Sequence, residues 1–463
     1  MVRDDDVRDD EVRDDEVRDD PPRRCLVTGG GGYLGGRLAR ALRERGAFVR
    51  VLDRRFDSPA EDGMERLEGD IRDAETVARA CEGIDTVFHC AAIINTLTRA
   101  RASVRDQVFG VNVEGTRNVI AACRAHGVAR LVYTSSISVV VDRGPCAGVT
   151  EDAPYAATEP MDIYTASKVE AEKLVLAANG DALKTCALRP GGIYGPDEQH
   201  HLPRLVREVL HGRFVAIVGS GIAKADNVYI DDLVDVHLRA AERLVEGSPV
   251  CGRPFQVGDG TPLNYFEFFR PAVEALGARF PRLKVPIAIM HALSWLAEWA
   301  HWFGGPFPFM TRMEVRKLDM DNWSDVSAAA RDLGWTPRVD AREGMRRSIP
   351  YVKQLASMMR LVRRPHIGWW IAILGGLGLL FALAFSGDAY AWWLATIGPM
   401  FPRVVLQGIA AGAIALHVGE GLYAWHRARQ AGLPTAGGWF RQTLTLGYPS
   451  LRLLLADLKE ERP

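Results

Sequence analysis

Several features that mark whole classes of protein are missing from this chain. It has seven cysteines (Cys25, Cys81, Cys90, Cys123, Cys146, Cys186 and Cys251), an odd number, and no two stand in C-x-x-C spacing. That argues against a disulfide framework and a zinc cluster, so no metal is expected and a reducing compartment fits best. There is no basic excess, with 57 Lys and Arg against 58 Asp and Glu, so nothing points to a nucleic-acid partner. No apolar run opens the chain, so no cleavable secretory signal is expected. His200, His201 and His211 lack ligand-like spacing and read as surface residues.

At 463 residues the chain is too long for one ordinary domain. Charge gathers at the N-terminus and apolar residues in the last hundred. Residues 2–20 repeat a five-residue unit, VRDDD, VRDDE, VRDDE, VRDD, in which valine is the only apolar residue. Such a segment buries too little surface to offset its ordering entropy. Residues 1–22 are therefore expected to be a disordered acidic tail, either a solvated extension or a tether for a basic partner. Pro21-Pro22 ends it.

A nucleotide site follows. Cys25-Leu-Val-Thr28 is a short apolar strand running into glycines, of which Gly29, Gly32 and Gly35 have G-x-x-G-x-x-G spacing. A helix with Leu38, Ala41 and Leu42 at helical period comes next, then a strand from Phe48 to Leu52 ending in Asp53. Glycines let the turn close and the backbone approach a pyrophosphate at the helix N-terminus, formed by Gly29, Gly32, Tyr33, Leu34 and Gly35. Asp53 is placed to accept bonds from the adenosine ribose and to repel a 2′-phosphate, which favours NAD over NADP. Arg54 and Arg55 could instead welcome that phosphate.

Strands and helices keep alternating. Asp70 ends a strand and is a candidate adenine contact, with Ile71 beside it. The strand Thr86 to Ala92 opens into the small residues Ala91 and Ala92. Asn112 stands near the start of a helix reaching about His126, as a positioning, water-relay or capping residue. Arg130 to Ser136 is the fifth strand. This alternation predicts an α/β fold with a Rossmann-type, doubly wound parallel sheet and chemistry at the carboxyl ends of its strands. Tyr164 and Lys168 stand four apart on a helix and point the same way. An ammonium beside a phenol lowers its pKa from about 10 toward neutrality, which suits it to proton transfer.

Together TGGGGYLGG, Asp53, GDI, HCAA, VNVEGT, YTSS, YTASK and LRPGGIYGP resemble an extended short-chain dehydrogenase/reductase over about residues 24–355. Within that superfamily the chain most resembles the 3β-hydroxysteroid dehydrogenases, including the sterol-4α-carboxylate 3-dehydrogenases. The resemblance implies a Ser–Tyr–Lys set at Ser136, Tyr164 and Lys168, with Ser135 the neighbouring candidate. It implies that Lys168 holds the nicotinamide ribose and that Pro190, Gly191 and Ile193 line the nicotinamide. It implies NAD-dependent oxidation of a 3β-hydroxysteroid or sterol to the 3-ketone. A 4α-carboxysterol would give a β-keto acid that loses CO2 unaided. A homodimer is usual for the family. On the same fold the alternatives are a nucleotide-sugar epimerase or dehydratase, a reductase of other ketones, or a membrane-held NAD-binding scaffold without turnover.

The expected division is a catalytic unit at residues 23–355, with an NAD-binding core at about 23–196 and a smaller substrate lobe mainly at 197–355, and a membrane region at 356–463. In the lobe, Asn227 to Asp232 reads as a strand turning into a helix that its acids cap. The segment from Pro286 to Phe303 carries Trp295, Trp299 and Trp302 on one stripe and His291, Ser294, Glu298 and His301 on a narrow polar one. It reads either as an interfacial helix that guides a lipid substrate or as a packed lobe helix. A charge-free run from Ile367 gives a span at about 367–386, and a second lies at about 404–423, a transmembrane helical hairpin. Residues 389–401 are a possible third, interfacial segment. Arg360, Arg363 and Arg364 precede the first span, and His426, Arg427 and Arg429 follow the second. The positive-inside rule then puts both ends, and the catalytic unit, in the cytoplasm. The implied partners are the bilayer and an apolar sterol or steroid.

Overall fold

The structure is a computed structural model that describes residues 21–57, 62–98, 100–141, 146–156, 162–305, 307–359, 362–398, 401–431 and 435–460. The acidic repeat at 2–20, the basic residue Arg360 and part of the segment at 389–401 lie outside these.

The buried strand β1 (Arg24–Thr28) passes into the glycine turn, where Gly29 has φ +73°, and α1 (Tyr33–Glu44) follows with Leu34, Leu38, Ala39 and Leu42 inward. Next come β2 (Phe48–Asp53), β3 (Met64–Glu68), α2 (Ala74–Cys81) capped by Asp73, and β4 (Thr86–His89). Then α3 (Ala102–Phe109) runs through a π-helical turn at Gly110–Glu114 into α4 (Gly115–Ala125), followed by β5 (Arg130–Thr134) and β6 (Cys146–Val149). Helix α5 (Ile163–Ala177) leads to β7 (Lys184–Pro190), β8 (Gly192–Tyr194) and α6 (His201–Leu210). The chain continues with β9 (Ala216–Val218), β10 (Lys224–Ala225), β11 (Asn227–Tyr229), α7 (Ile230–Arg243), β12 (Arg253–Val257), β13 (Leu263–Asn264) and α8 (Tyr265–Ala275). After them stand β14 (Leu283–Val285), α9 (Ile287–Trp302), α10 (Arg312–Lys317), β15 (Asn322–Ser324), α11 (Ser327–Leu333) and α12 (Ala341–Met359).

The main sheet has seven strands in the order β3-β2-β1-β4-β5-β7-β12, every neighbouring pair parallel. Alternation in β1 sends Cys25 and Val27 to one face and Leu26 to the other, and each meets its own core. One core is sealed by α1 and α7, the other by α2, α4 and α5. Burying each such Val, Leu or Phe is worth roughly 1.5–3 kcal/mol. The order reverses beside β1, between α1 and the loop after β4, which is where a crevice opens in such sheets.

Beyond α12, among the described residues, two helices are long and apolar enough to cross a membrane: α13 (Ile367–Phe385), of 19 residues, and, after the short α14 (Gly387–Thr396), α15 (Arg403–Gln430), of 28. They pair as a hairpin. At its closed end Leu383, Ala384, Leu406 and Ala410 pack together beneath Tyr390 and Trp393 of α14, and Arg403 and Gln407 donate to the Ala384 carbonyl. Most of residues 389–401 is therefore a helix laid across the hairpin's end. The second span runs seven residues past the Tyr423 expected from hydropathy. Its last turns bury Ala424 and Ala428 against α16 (Ala436–Leu446) and α17 (Tyr448–Glu460), with Trp439, Leu451 and Leu454. Val362 packs in the same cluster, Arg363 pairs with Asp457 at 2.6 Å, and Gln442 donates to the Arg363 carbonyl. Both outer ends of the hairpin thus meet. The Arg364 amide in turn donates to the Leu210 carbonyl of α6.

Candidate active site

The glycine turn is tight because it has to be. A β-carbon at Gly29 would come within 2.9 Å of the Ala91 backbone, and one at Gly35 would collide with the Gly29 carbonyl. One at Gly31 would meet the Arg55 carbonyl at 2.5 Å. Helix α1 opens on Gly32 with no side-chain cap, leaving the amides of its first turn, Tyr33 and Leu34, for oxyanions. Asp53 sits at the end of β2 and accepts from the amides of Gly31 (3.0 Å) and Arg54 (2.7 Å). Arg55 is paired with Asp57 at 2.8 Å. These residues fit a dinucleotide.

The other expected contacts surround this cradle. Ala91, half-buried, and Ala92, exposed, form its wall after β4. Asp70 holds Arg72 in a two-pronged ion pair, and that guanidinium keeps its carboxyl below the usual range. Any adenine amine would share the carboxylate with Arg72. Ile71 is buried against Gly115, and its carbonyl accepts from Asn118. Pro190 ends β7. The Gly191 amide donates to Val257, and a β-carbon there would lie 2.7 Å from the Asp226 carbonyl. Ile193 lies in β8, which pairs with β11.

Asn112 is placed differently from a cofactor contact. It lies in the π-turn, fully buried, and both its amide hydrogens are used, on the Ile93 carbonyl (3.0 Å) and Ser167 Oγ (2.9 Å). Its oxygen accepts from the Ile93 amide at 2.7 Å. The extra residue of a π-turn rotates this side chain onto the loop after β4. It caps no helix; it clamps that loop to α5.

The proton-handling groups converge where α5 passes the end of β5. Asp162, completely buried, caps α5 by accepting from the amide and hydroxyl of Thr165. The Tyr164 amide donates to the Asn95 carbonyl at 3.2 Å. The Ser136 hydroxyl lowers the pKa of the Tyr164 phenol, and Ser136 Oγ accepts from the amide (3.2 Å) and hydroxyl (3.0 Å) of Ser138. Ser135, by contrast, is buried with its hydroxyl unpartnered. Lys168 donates to the Thr134 carbonyl and lies over the Tyr133 ring, 4.2 Å from its centroid.

The expected depression of the Tyr164 pKa is not what the protein alone produces. Burial dominates and pushes the phenol up to about 12, against the Ser136 hydroxyl that lowers it and the Asp162 charge that raises it. The Lys168 charge is directed at the Thr134 carbonyl and the Tyr133 face instead. Burial brings Lys168 itself down to about 7, although Glu172 and Cys90 favour its charged form.

Sequence reasoning missed the support behind this set. One turn beyond Lys168, Glu172 is fully buried and receives a forked pair from Arg189, with the closest contact at 2.6 Å, and a bond from the Tyr155 hydroxyl at 2.9 Å. Arg189 is the arginine of the LRPGG segment, so one ion pair fixes α5 against the strand that ends at Pro190. The i, i+4, i+8 stripe of Tyr164, Lys168 and Glu172 was the available signal.

Comparison with known proteins agrees with this geometry. The model of the 3-beta hydroxysteroid dehydrogenase/isomerase family matches residues 26–287, and that of Transmembrane protein 254 matches residues 368–456. A "3 beta-hydroxysteroid dehydrogenase/Delta 5-->4-isomerase" of Mycobacterium tuberculosis is 39% identical over 342 residues, covering 73% of this chain and 92% of its own length. Short-chain dehydrogenase/reductase family 42E member 1 of Mus musculus is 38% identical over 338 residues, 69% of this chain and 85% of that protein. Among solved structures, MoeE5 in complex with UDP-glucose and NAD is 27% identical with a TM-score of 0.56, covering 72% of this chain and 99% of that one. The chain belongs to the 3-beta hydroxysteroid dehydrogenase/isomerase family of extended short-chain dehydrogenases, oxidoreductases that act on CH–OH groups with a nicotinamide cofactor.

Proposed function

We propose that the chain is a membrane-anchored, NAD-dependent dehydrogenase that oxidises the 3β-hydroxyl of a steroid or sterol to the 3-ketone. The observation that carries this reading is the glycine cradle at Gly29, Gly31 and Gly35 on a chain whose Tyr164 phenol is influenced by the Ser136 hydroxyl and that also holds an apolar hairpin. Curated relatives bearing the 3β-hydroxysteroid dehydrogenase name support the substrate class, and an apolar alcohol partitions into the bilayer that the hairpin favours. If the substrate carries a 4α-carboxylate, the ketone formed is a β-keto acid and decarboxylates without further groups.

In this reading Tyr164 takes the hydroxyl proton while Ser136 donates to the same oxygen and fixes its approach. Lys168, near neutrality in its pKa, stands one turn beyond Tyr164 on α5, where it would hold the nicotinamide ribose. The Gly29–Gly35 turn would hold the pyrophosphate, Asp53 the ribose hydroxyls, and Pro190, Gly191 and Ile193 the nicotinamide side. When bound, the oxidised nicotinamide supplies the hydride acceptor and a positive charge that opposes the burial of a phenolate. Asp53 and the Arg55–Asp57 pair favour NAD, because a 2′-phosphate would face a carboxylate and only one unengaged arginine in that run.

The catalytic unit is residues 23–355 and the membrane region 356–463. Arg363 and Arg364 before α13, and Arg427 and Arg429 in the last turn of α15, support a cytoplasmic position for both hairpin ends and the catalytic unit. The test is a panel of 3β-hydroxysteroids and nucleotide sugars, offered with NAD to the full chain in lipid nanodiscs. NADH absorbance should rise with the steroids. Turnover confined to nucleotide sugars overturns the reading.

A further inference from the structure

The loop after β4 lies between the catalytic helix and the lobe. On one side its Leu97 and Asn95 carbonyls accept from the Ile163 and Tyr164 amides, each at 3.2 Å. On the other side the Thr98 hydroxyl donates to Glu298 of α9 at 2.6 Å, and Thr96 bonds Thr311, the cap of α10, at 3.3 Å. Where this loop meets the two lobe helices there is a cavity of about 360 Å³, between Thr98, His291 and Trp295 on one side and Arg312, Met313 and Arg316 on the other. That volume lies in the range of small-molecule sites. The cavity is lined by neither Ser136 nor Tyr164, nor by the glycine cradle.

Its charges are unequally paired. Arg312 is answered by the buried Glu298, which accepts from its amide (2.8 Å) and its Nε (3.1 Å), while its Nη2 donates to Thr98 Oγ1. Arg316 stands one turn further along α10 and is half-buried. Among the described residues its guanidinium has no carboxylate and no other acceptor. His291 offers no negative charge either. Burial, then the Arg316 and Arg312 charges, hold its pKa below the ordinary value. Asp319 acts in the opposite direction, but it accepts from the Ser220 amide at 2.7 Å. A cation drawn partly out of water without a counter-ion is a place prepared for an anion.

Distance and lining say what that anion belongs to. By chain path Thr98 is within roughly 15 Å of the Tyr164 amide, on the scale of a steroid nucleus with its side chain extended. Trp295 and Met313 supply an apolar wall beside the free guanidinium. A carboxylate next to the reacting carbon would lie at Tyr164, not in a cavity that no catalytic group lines. We propose that this cavity receives the far end of the substrate, a steroid whose side chain ends in a carboxylate, and that Arg316 grips that carboxylate through two parallel N–H···O bonds. This rests on the steroid reading and narrows it. Arg316 is then a specificity-determining residue, remote from the hydride and proton transfers.

The test compares 3β-hydroxycholenoic acid with its methyl ester, each offered with NAD to the full chain in phosphatidylcholine nanodiscs. The two differ in charge at the end of the side chain and share everything at the reacting carbon. The acid should have a kcat/KM about tenfold or more above that of the ester, most of it in KM. Arg316→Met should bring the ratio close to one. Arg316→Lys, which keeps the charge and loses the fork, should leave an intermediate ratio. NAD titration checks that both variants are folded. Equal efficiencies in the unmodified chain, or a ratio untouched by Arg316→Met, overturn the assignment and leave the steroid reading standing. So does oxidation of neither compound by a chain that oxidises neutral 3β-hydroxysteroids. If those steroids are inert as well, both readings fall. A ratio that disappears when phosphatidylglycerol replaces phosphatidylcholine means that a lipid headgroup holds Arg316, and this too overturns the assignment.

Discussion

Helices α5 and α9 both turn polar side chains inward, and they differ in what lies on the other side. Around α5 the protein covers both the polar and the apolar side chains of the inner face, with Lys168, Glu172 and Ser167 buried alongside Val169 and Ala171. Around α9 only the polar row is covered, and the apolar majority faces out. On α5 the surrounding protein therefore sets the chemistry of the buried groups. On α9 the buried carboxylate sets the placement of a helix whose outer face is apolar and exposed.

The largest effect is expected from Tyr164→Phe, which should lower kcat about 10³-fold while leaving NAD affinity unchanged, measured by titration. Normal turnover by this variant would mean that α5 carries no proton-transfer group, and the contrast with α9 would lose its basis.

Next is the ion pair behind it. Glu172→Ala strands Arg189, only 2% exposed, and should destabilise the fold by about 3–5 kcal/mol in denaturant unfolding. Glu298→Ala strands Arg312, which is a third exposed, and should cost about 1–2 kcal/mol. Equal losses would show that the two helices are covered alike.

Titration sharpens the comparison further. Because burial pushes Tyr164 up to about 12, oxidation by the full chain should quicken as pH rises from 7 to 9. Ser136→Ala removes the hydroxyl that lowers this pKa and should move the rise to higher pH, seen in the pH dependence of kcat/KM. Lys168 gives a stability signature. Its folded pKa of about 7 lies below the ordinary 10.5, so between these values the unfolded chain holds the extra proton and stability increases with pH. Relative to Lys168→Met, the melting temperature of the unmodified chain should climb from pH 7 to pH 9. A flat difference means Lys168 is solvated in the folded protein.

The smallest expected effect is on cofactor choice. Asp53→Asn should narrow the preference for NAD over NADP about tenfold, read from the two KM values. No change would place the discrimination elsewhere in the cradle.

Much of this was legible because its signals are local. The turn at Gly29 to Gly35, the acid at Asp53 and the Tyr164–Lys168 spacing each lie within one strand-turn-helix unit, where period and sterics act over a few residues. The inverted polarity of α9 was also visible, as tryptophans on one stripe and Glu298 on another. What stayed hidden was pairing at a distance. Nothing local shows that Arg189 meets Glu172, that Glu298 meets Thr98 two hundred residues earlier, or that Asn112 clamps the loop at Ile93. Each is a buried polar group whose partner is chosen by the fold. The Tyr164 pKa was misread for a related reason: helical spacing shows that Lys168 is near, but not that its charge is engaged by Thr134 and Tyr133.

The length of α15 has a mechanical consequence. Its 28 residues make a rod of about 42 Å, some 12 Å more than the hydrocarbon layer of a bilayer. The surplus is gripped by α16 and α17, which also hold Arg363, and Arg364 is bonded to the catalytic lobe at Leu210. There is little slack between rod and lobe. With the hairpin in a bilayer, as proposed, the enzyme would ride at a fixed clearance above the membrane and search in two dimensions, so its encounter rate would follow the surface density of its substrate rather than the concentration in solution.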